Sequence, residues 1–358
     1  MDNALFQKTT RLDAAHVLWK RVLDVNDRAL RDIRIGRGTN GAERASGFDI
    51  TAASEVMAVL CLAESLDDLR TRLKRMLIGF DAHGDAVLAD EFRVTGALVA
   101  LLKDALMPNL VPSMEGVPAF VHGGPFANIA HGCNSVLATR MALTHADYAV
   151  TEAGFAFDLG GEKFMHIKCR QSGLAPAAIV IVATVRALKM HGGVALNELQ
   201  QPDVTAVERG LANLAAHLDA AALFARPVVV AVNQFTTDRP EELAAVHRFC
   251  AARGVKCATA DVFGAGGAGT TQLAELVVHA AATESPALPF LYDLQQSVTE
   301  KLHAIATKVY GADSVKLTHE AEAKLAAFDR AGFTRLPVCM AKTQNSLSDE
   351  PLKRGRPQ

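Results

Sequence analysis

Between Ala119 and Asp261 the chain alternates short apolar runs with longer amphipathic stretches. The apolar runs are AFVHG, YAVTEAG, AAIVIVAT, PVVVAVN and VKCATAD, rich in β-branched residues and apolar on both faces. The stretches between and after them, 127–144, 161–172, 205–222 and 239–253, repeat apolar residues at helical spacing. Strands apolar on both faces that alternate with helices predict a parallel, doubly wound α/β sheet. In such sheets ligands bind beyond the carboxyl ends of the strands. Every run here ends in polar or glycine-rich text: HGGPFANIAHG, EAGFAFDLGGEKF, VRALKMHGG, NQFTTD and DVFGAGGAG. That coincidence is the first sign of an enzyme.

The flanking regions read differently. Residues 13–35 are polar, then amphipathic, and hold the only tryptophan, Trp19. The pattern predicts helices over Ala52–Ala63, over SLDDLRTRLKRML with Ser65 as N-cap, and over VTGALVALLKDAL. After residue 289 it predicts helices over Leu294–Tyr310 and 318–330, a strand-like RLPVCMAK and a polar terminal loop.

Composition narrows the class. Half of the 358 residues are hydrophobic and 21% are charged, ample for a globular core and for two or three domains. A formal charge of −2 gives no basis for electrostatic capture of nucleic acid or an anionic membrane. The six cysteines are scattered with no C-x-x-C pair, and the first residues lack an apolar leader, so the expected setting is a reducing cytoplasm. The longest apolar run, LAPAAIVIVATV, is too short to span a bilayer.

Three stretches carry candidate chemistry. FVHGGPFANIAHGCNS, residues 120–135, reads as strand, glycines and then a helix entering near Pro125. Free backbone N–H groups in such a loop suit an anion, with Gly123, Gly124 and Asn128 as the cradle and His122 and His131 as polar groups; a tight turn is the alternative. His122, His131 and Cys133 match no common zinc spacing, so no metal is expected there. TEAGFAFDLGGEKF brings Asp158 and Lys163 to a strand end, and VATVRALKMHGG brings Arg186, Lys189 and His191. Cations at a strand end suit phosphate or carboxylate. FGAGGAGTT, residues 263–271, mimics a phosphate loop, but Thr270 stands where a P-loop needs lysine, and the expectation is a flexible loop.

The strings EGVPAFVHGGPFANIAHGCNSVLATRMAL, ADYAVTEAGF, LGGEKFMHIKCR and IVIVATVRALKMHGGV resemble the formate–tetrahydrofolate ligase family, and the likeness runs collinearly from VLWKRVLDVNDRALRDI to LPVCMAKTQNSLSDEPLKRGRP. The resemblance implies that formate attacks the γ-phosphate of ATP to give formyl phosphate. N10 of tetrahydrofolate then takes the formyl group. Its implied ligands are formate, ATP with Mg²⁺, tetrahydrofolate and a monovalent cation, and its implied assembly is a homotetramer.

By that resemblance Phe155, Phe235 and Phe263 stack on the folate, the candidates His122, His131, Asp158, Lys163, Arg186, Lys189 and His191 serve catalysis, and Gly123, Gly124 and Asn128 line the formyl phosphate cleft. Where the family usually reads Trp–Ala–Lys–Gly–Gly, this chain reads Phe263–Gly264–Ala265–Gly266–Gly267, and Thr236 replaces a usual proline. The implied organisation is an incomplete sheet of P-loop NTPase type in residues 1–210, a second, smaller α/β domain in 211–303 and part of a third in 304–358. The family's GEGKTT and KGGAAGGGY strings are not found, so the chain resembles an internal piece of the enzyme. The expected consequence is weak or no forward synthesis, or a non-catalytic folate-binding or oligomer-forming remnant.

Overall fold

The computed structural model describes residues 1–39 and 41–357 and divides into two units. The first comprises Met1–Gly154 and Leu317–Cys339; the second comprises Phe155–Lys316 and Met340 onward.

The first unit opens with helix α1 (Asp2–Phe6), followed by strands β1 (Leu12–Val17), β2 (Arg21–Val22), β3 (Ile33–Ile35), β4 (Arg44–Ser46) and β5 (Phe48–Asp49). Helices α2 (Glu55–Leu62) and α3 (Leu66–Lys74) follow, each begun by a serine whose hydroxyl accepts a backbone N–H: Ser54 from Met57 and Ser65 from Asp68. Next come strands β6 (Leu77–Asp81) and β7 (Ala86–Leu88), helix α4 (Thr95–Leu102), strands β8 (Asn109–Pro112) and β9 (Pro118–Val121), and helix α5 (Val136–His145). Strands β1, β6 and β7 form an antiparallel sheet. Leu60, Leu69, Leu73, Ile78 and Val87 form the core beside it. Each such side chain, fully buried, contributes about 1.5–3 kcal/mol relative to exposure.

The second unit opens on two π-helical turns, Phe157–Gly161 and Phe164–Cys169, continued by α6 (Arg170–Ser172). Strand β10 (Ile179–Ala183), helices α7 (Val185–His191) and α8 (Val204–Ala222), strand β11 (Val228–Asn233), helix α9 (Pro240–Ala252) and strand β12 (Lys256–Ala260) follow. Then come α10 (Val262–Ala265), a 3₁₀ turn (Gly266–Thr270), α11 (Thr271–Ala281) and α12 (Val298–Lys308). Strands β10, β11 and β12 lie side by side and parallel, with Ile181 opposite Val230 and Val230 opposite Cys257. Helices α7 and α8 meet backbone to backbone, because a Cβ at Gly210 would lie 1.9 Å from the Leu188 carbonyl oxygen.

The architecture is α/β, as the alternation predicts, with several small sheets in place of one. Three of the five expected strands form the parallel sheet. AFVHG instead supplies β9, which pairs antiparallel with β8 across a turn at Gly116, whose φ is +79°. YAVTEAG forms no strand, and neither does RLPVCMAK. The helix expected over 127–144 begins at Val136: Gly132, at φ +67°, packs so tightly on Ala127 that a Cβ there would sit 2.2 Å from the alanine's own, and Ser135 supplies the cap. FGAGGAGTT is helical and closed rather than a flexible loop.

Candidate functional site

In the first unit the stretch 120–135 runs from β9 through an irregular loop to α5. His122 is buried, with Nε2 2.7 Å from the Ala105 carbonyl oxygen and Nδ1 2.6 Å from the Ser135 hydroxyl. A carbonyl only accepts, so Nε2 carries a proton, while Nδ1 shares a hydrogen bond with the Ser135 hydroxyl. The same hydroxyl caps α5 by accepting the Ala138 N–H. His122 therefore ties β9 to the helix start. His131 is also buried, its Nε2 donating to the Ala58 carbonyl at 3.2 Å.

Gly123 has φ +70°, and a Cβ there would lie 2.1 Å from the Cys61 sulfur; Gly124 is open, with no atom within 4 Å of a Cβ position. An open cleft of about 300 Å³ is lined by Met57, Asp104, Met107, Asn109, His122 and Gly123, among others. Asn128 lies in the turn 127–129 that follows Phe126 and is partly exposed.

In the second unit the carboxyl edge of the parallel sheet carries three loops in register. Strand β10 is followed by Thr184, whose hydroxyl caps α7; Arg186 is exposed on that helix's first turn. Strand β11 runs into Gln234 and Phe235, and β12 into Asp261 and Phe263. The two rings are 48% and 89% exposed, and Phe155, at the start of the unit with φ +50°, is 62% exposed. Exposed aromatics at the carboxyl edge of a parallel sheet are what a flat heterocycle needs.

The remaining sequence candidates are interior groups. Lys189 forms a 3.2 Å ion pair with Glu242 and donates to the Gln201 carbonyl at 2.9 Å. Lys163 donates to the Met340 carbonyl at 2.7 Å. Asp158 accepts from Lys342 at 3.1 Å, and its own carbonyl accepts from the Tyr310 hydroxyl at 2.8 Å. His217 faces Asp158 at 3.9 Å, too far for a hydrogen bond. Burial lowers the pKa of His217 and raises that of Tyr310.

Sequence reasoning missed Lys342, Tyr310 and His217, which lie 59–184 residues from Asp158 and carry no local pattern. It also missed His166 and its pairing with Glu162, both buried and 2.5 Å apart at helical spacing, which an i,i+4 search would find. Among the described residues no three His, Cys, Asp or Glu side chains converge to hold a metal ion. No helix of the described chain is long and apolar enough to cross a membrane.

His191 makes one prediction. Its Nδ1 accepts the Gly355 N–H at 3.2 Å, which requires that nitrogen unprotonated. Burial first, then His217 and Arg354, lower its pKa from 6.5 to about 4, against a pull upward from Asp158. The unfolded chain therefore binds the extra proton at a higher pH than the folded one. The stability due to neutral His191 is complete above about pH 6.5 and is lost as pH falls toward about 4. Urea midpoints between pH 7 and pH 4.5 are expected to fall, and less steeply in His191→Asn, whose amide oxygen also accepts the Gly355 N–H. Identical slopes would remove His191 as a cause.

The parallel sheet flanked by helices places the second unit in the α/β class, with exposed aromatics on the sheet's carboxyl edge. A family model for formate–tetrahydrofolate ligase matches residues 1–358. The formate–tetrahydrofolate ligase of Bacillus licheniformis is 52% identical over 361 aligned positions, covering 100% of this chain and 65% of the relative. The chain belongs to the formate–tetrahydrofolate ligase family and spans about two thirds of the length of that curated relative.

Proposed function

We propose that the chain acts in the ATP-dependent ligation of formate to tetrahydrofolate. A formate oxygen attacks the γ-phosphorus, releasing ADP and giving formyl phosphate. N10 of tetrahydrofolate then attacks the formyl carbon, phosphate leaves and N10 loses its proton, giving 10-formyltetrahydrofolate. The observation that carries this reading is the 52% identity along the entire chain to a protein of that name.

Within it Phe235 and Phe263 take the pterin, with Phe155 as a third aromatic contact. Arg186, exposed at the neighbouring strand end, faces an anionic group. The loop of Gly123, Gly124 and Asn128 serves the formyl phosphate. His122, His131, Asp158, Lys163, Lys189 and His191 hold the surrounding backbone rather than touch the reacting atoms, because each is engaged by the protein's own groups. ATP enters with Mg²⁺, and a monovalent cation is a further ligand. With no converging donor set among the described residues, no step is assigned here to a metal held by this chain. A doubly wound sheet of P-loop NTPase type, the division at residues 210 and 303, cytoplasmic location and a homotetramer complete the proposal. The sheet type is supported by the parallel order of β10, β11 and β12, which form one sheet across residue 210, and the rest of the proposal by the family alone.

The test has two arms. Calorimetric titration with tetrahydrofolate is expected to show saturable binding, weakened about tenfold in Phe235→Ala and again in Phe263→Ala, the effect of losing one aromatic contact of ~1.4 kcal/mol. ATP- and formate-dependent appearance of 10-formyltetrahydrofolate reads the chemistry. Binding without turnover would assign the chain the folate half of the reaction alone. No binding would overturn the reading of the sheet edge.

A further inference from the structure

The glycine-rich loop after β12 is organised around one carboxylate. Asp261 Oδ1 accepts the Gly264 N–H at 2.8 Å and so caps α10. The Asp261 backbone N–H donates to the Gly269 carbonyl at 3.1 Å, and its carbonyl accepts the Ala265 N–H at 3.1 Å. One residue thus ties the start of the loop to its middle and its end. The glycines follow from that closure. A Cβ at Gly264 would lie 2.6 Å from the Asp261 carboxylate, and one at Gly269 would lie 2.2 Å from the Asp261 carbonyl oxygen. Gly264 and Gly269 are therefore packing requirements of Asp261 and Gly266 supplies a φ of +56°, so the G-x-G-x-x-G spacing arises without a phosphate loop's lysine.

The neighbouring loop repeats the device. Asp238 Oδ2 accepts the Phe235 N–H at 2.9 Å, while the Asp238 N–H donates to the Phe235 carbonyl at 3.0 Å. The Gln234 N–H donates to the Ala260 carbonyl at 3.1 Å, joining the two loops at their roots.

We propose that Asp261 and Asp238 are positioning residues that hold the backbone of Phe263 and Phe235 where their rings meet a flat aromatic ligand. The inference rests on reading this edge as the folate site. Phe263 is 89% exposed, so the loop backbone is what sets where its ring is presented. A ring held in advance binds without the entropic cost of ordering the loop. Neither carboxylate needs to touch the ligand, and both act through the aromatic residue beside them.

The experiment uses the whole chain and four variants: Asp261→Ala, Asp261→Asn, Phe263→Ala and the Asp261→Ala/Phe263→Ala double. Asp261→Ala is expected to weaken tetrahydrofolate about tenfold, the consequence of losing one charge-assisted hydrogen bond. Asp261→Asn keeps an acceptor oxygen and is expected to restore most of the affinity. The double variant is expected to bind no more weakly than Phe263→Ala, because Asp261 acts only through that ring. Unchanged affinity in Asp261→Ala, or full additivity in the double, would overturn the proposal.

Hydrogen–deuterium exchange over residues 262–269 reads the anchoring without any ligand. It is expected to accelerate in Asp261→Ala and to recover in Asp261→Asn, and unaltered exchange overturns the anchoring. Failure of the unmutated chain to bind tetrahydrofolate would overturn the folate assignment, while exchange still decides whether Asp261 holds the loop. Asp238→Ala, paired with Phe235→Ala, is read the same way.

Discussion

Lys342→Ala is expected to destabilise the second unit by about 3–5 kcal/mol, the usual cost of leaving one half of a buried ion pair without its partner. The Lys342 side chain is 8% exposed and that of Asp158 is 3% exposed, with 3.1 Å between nitrogen and carboxylate oxygen. The same ammonium donates to the Thr343 carbonyl at 2.8 Å and to the Ser346 carbonyl at 2.5 Å, filling its three donor positions. Nothing nearby replaces it. His217 is the other group facing the carboxylate, but it stands at 3.9 Å and burial lowers its pKa, which keeps it uncharged at neutral pH.

The loss extends along the terminal segment. Lys342 works with Lys163, which holds the Met340 carbonyl, and with Asn213, whose amide donates to the Gly355 carbonyl at 3.0 Å. Residues 340–356 are thus fastened to the second unit at both ends. In Lys342→Ala this segment is expected to become protease-sensitive before the rest of the unit unfolds. Urea unfolding at pH 7, with exchange measured over residues 155–165 and 340–357, checks both statements. The double variant Asp158→Asn/Lys342→Met removes both charges and is expected to recover part of the loss, the two carbonyls remaining unsatisfied. A change below about 1 kcal/mol in Lys342→Ala, the scale of an exposed pair, would show that the Asp158–Lys342 contact carries no such weight.

This cluster shows which features the sequence displayed and which it did not. The β-branched runs of β10, β11 and β12, the helices at 204–222 and 240–252, and the cap at Ser65 all follow from local chemistry, and local chemistry forms them. The edge aromatics Phe235 and Phe263 were legible as strand endings, since a parallel sheet sends its strand ends to one side. AFVHG misled because a strand, β8, and not a helix stands directly before it. It pairs backwards onto β8 through SMEG, where Gly116 supplies the positive φ, and prolines at 112 and 118 mask the hairpin signal.

The buried ion pairs were not legible as pairs. Lysines at 163, 189 and 342 have the same composition signature as solvated lysines, and only tertiary contact over long separations reveals their partners. The strand-end candidates divide by burial, which the sequence does not display. Lys163 and Lys189 are committed to internal carbonyls and to Glu242, while Arg186, from the same stretch as Lys189, stays at the surface.

His166→Leu is expected to destabilise the second unit by a similar amount, about 3–5 kcal/mol, through a different loss. His166 Nε2 lies 3.0 Å from the Leu291 backbone N–H, which can only donate, so the ring accepts there and its Nδ1 carries the proton toward Glu162. Nδ1 lies 2.5 Å from Glu162 Oε1, and both side chains are fully buried. The second carboxylate oxygen, Oε2, is buried with no hydrogen-bond partner, so His166 is the hydrogen bond on which this carboxylate relies. Leucine fills similar volume beside Phe224 and Tyr292, whose rings lie 5.3 Å and 4.6 Å from the imidazole, and so isolates the polar loss from a cavity.

The consequence of His166→Leu is a buried carboxylate bare at both oxygens and a backbone N–H without an acceptor. Glu162→Gln retains an acceptor for Nδ1–H and is expected to cost far less. The Glu162→Leu/His166→Leu double removes the stranded charge and leaves only the Leu291 N–H unsatisfied. It is therefore expected to be more stable than His166→Leu alone, a sign that additive side-chain losses cannot produce. Urea midpoints for the four proteins at pH 7 decide it. A double variant weaker than His166→Leu would mean that the pair matters for packing, and that the carboxylate was never the group at stake.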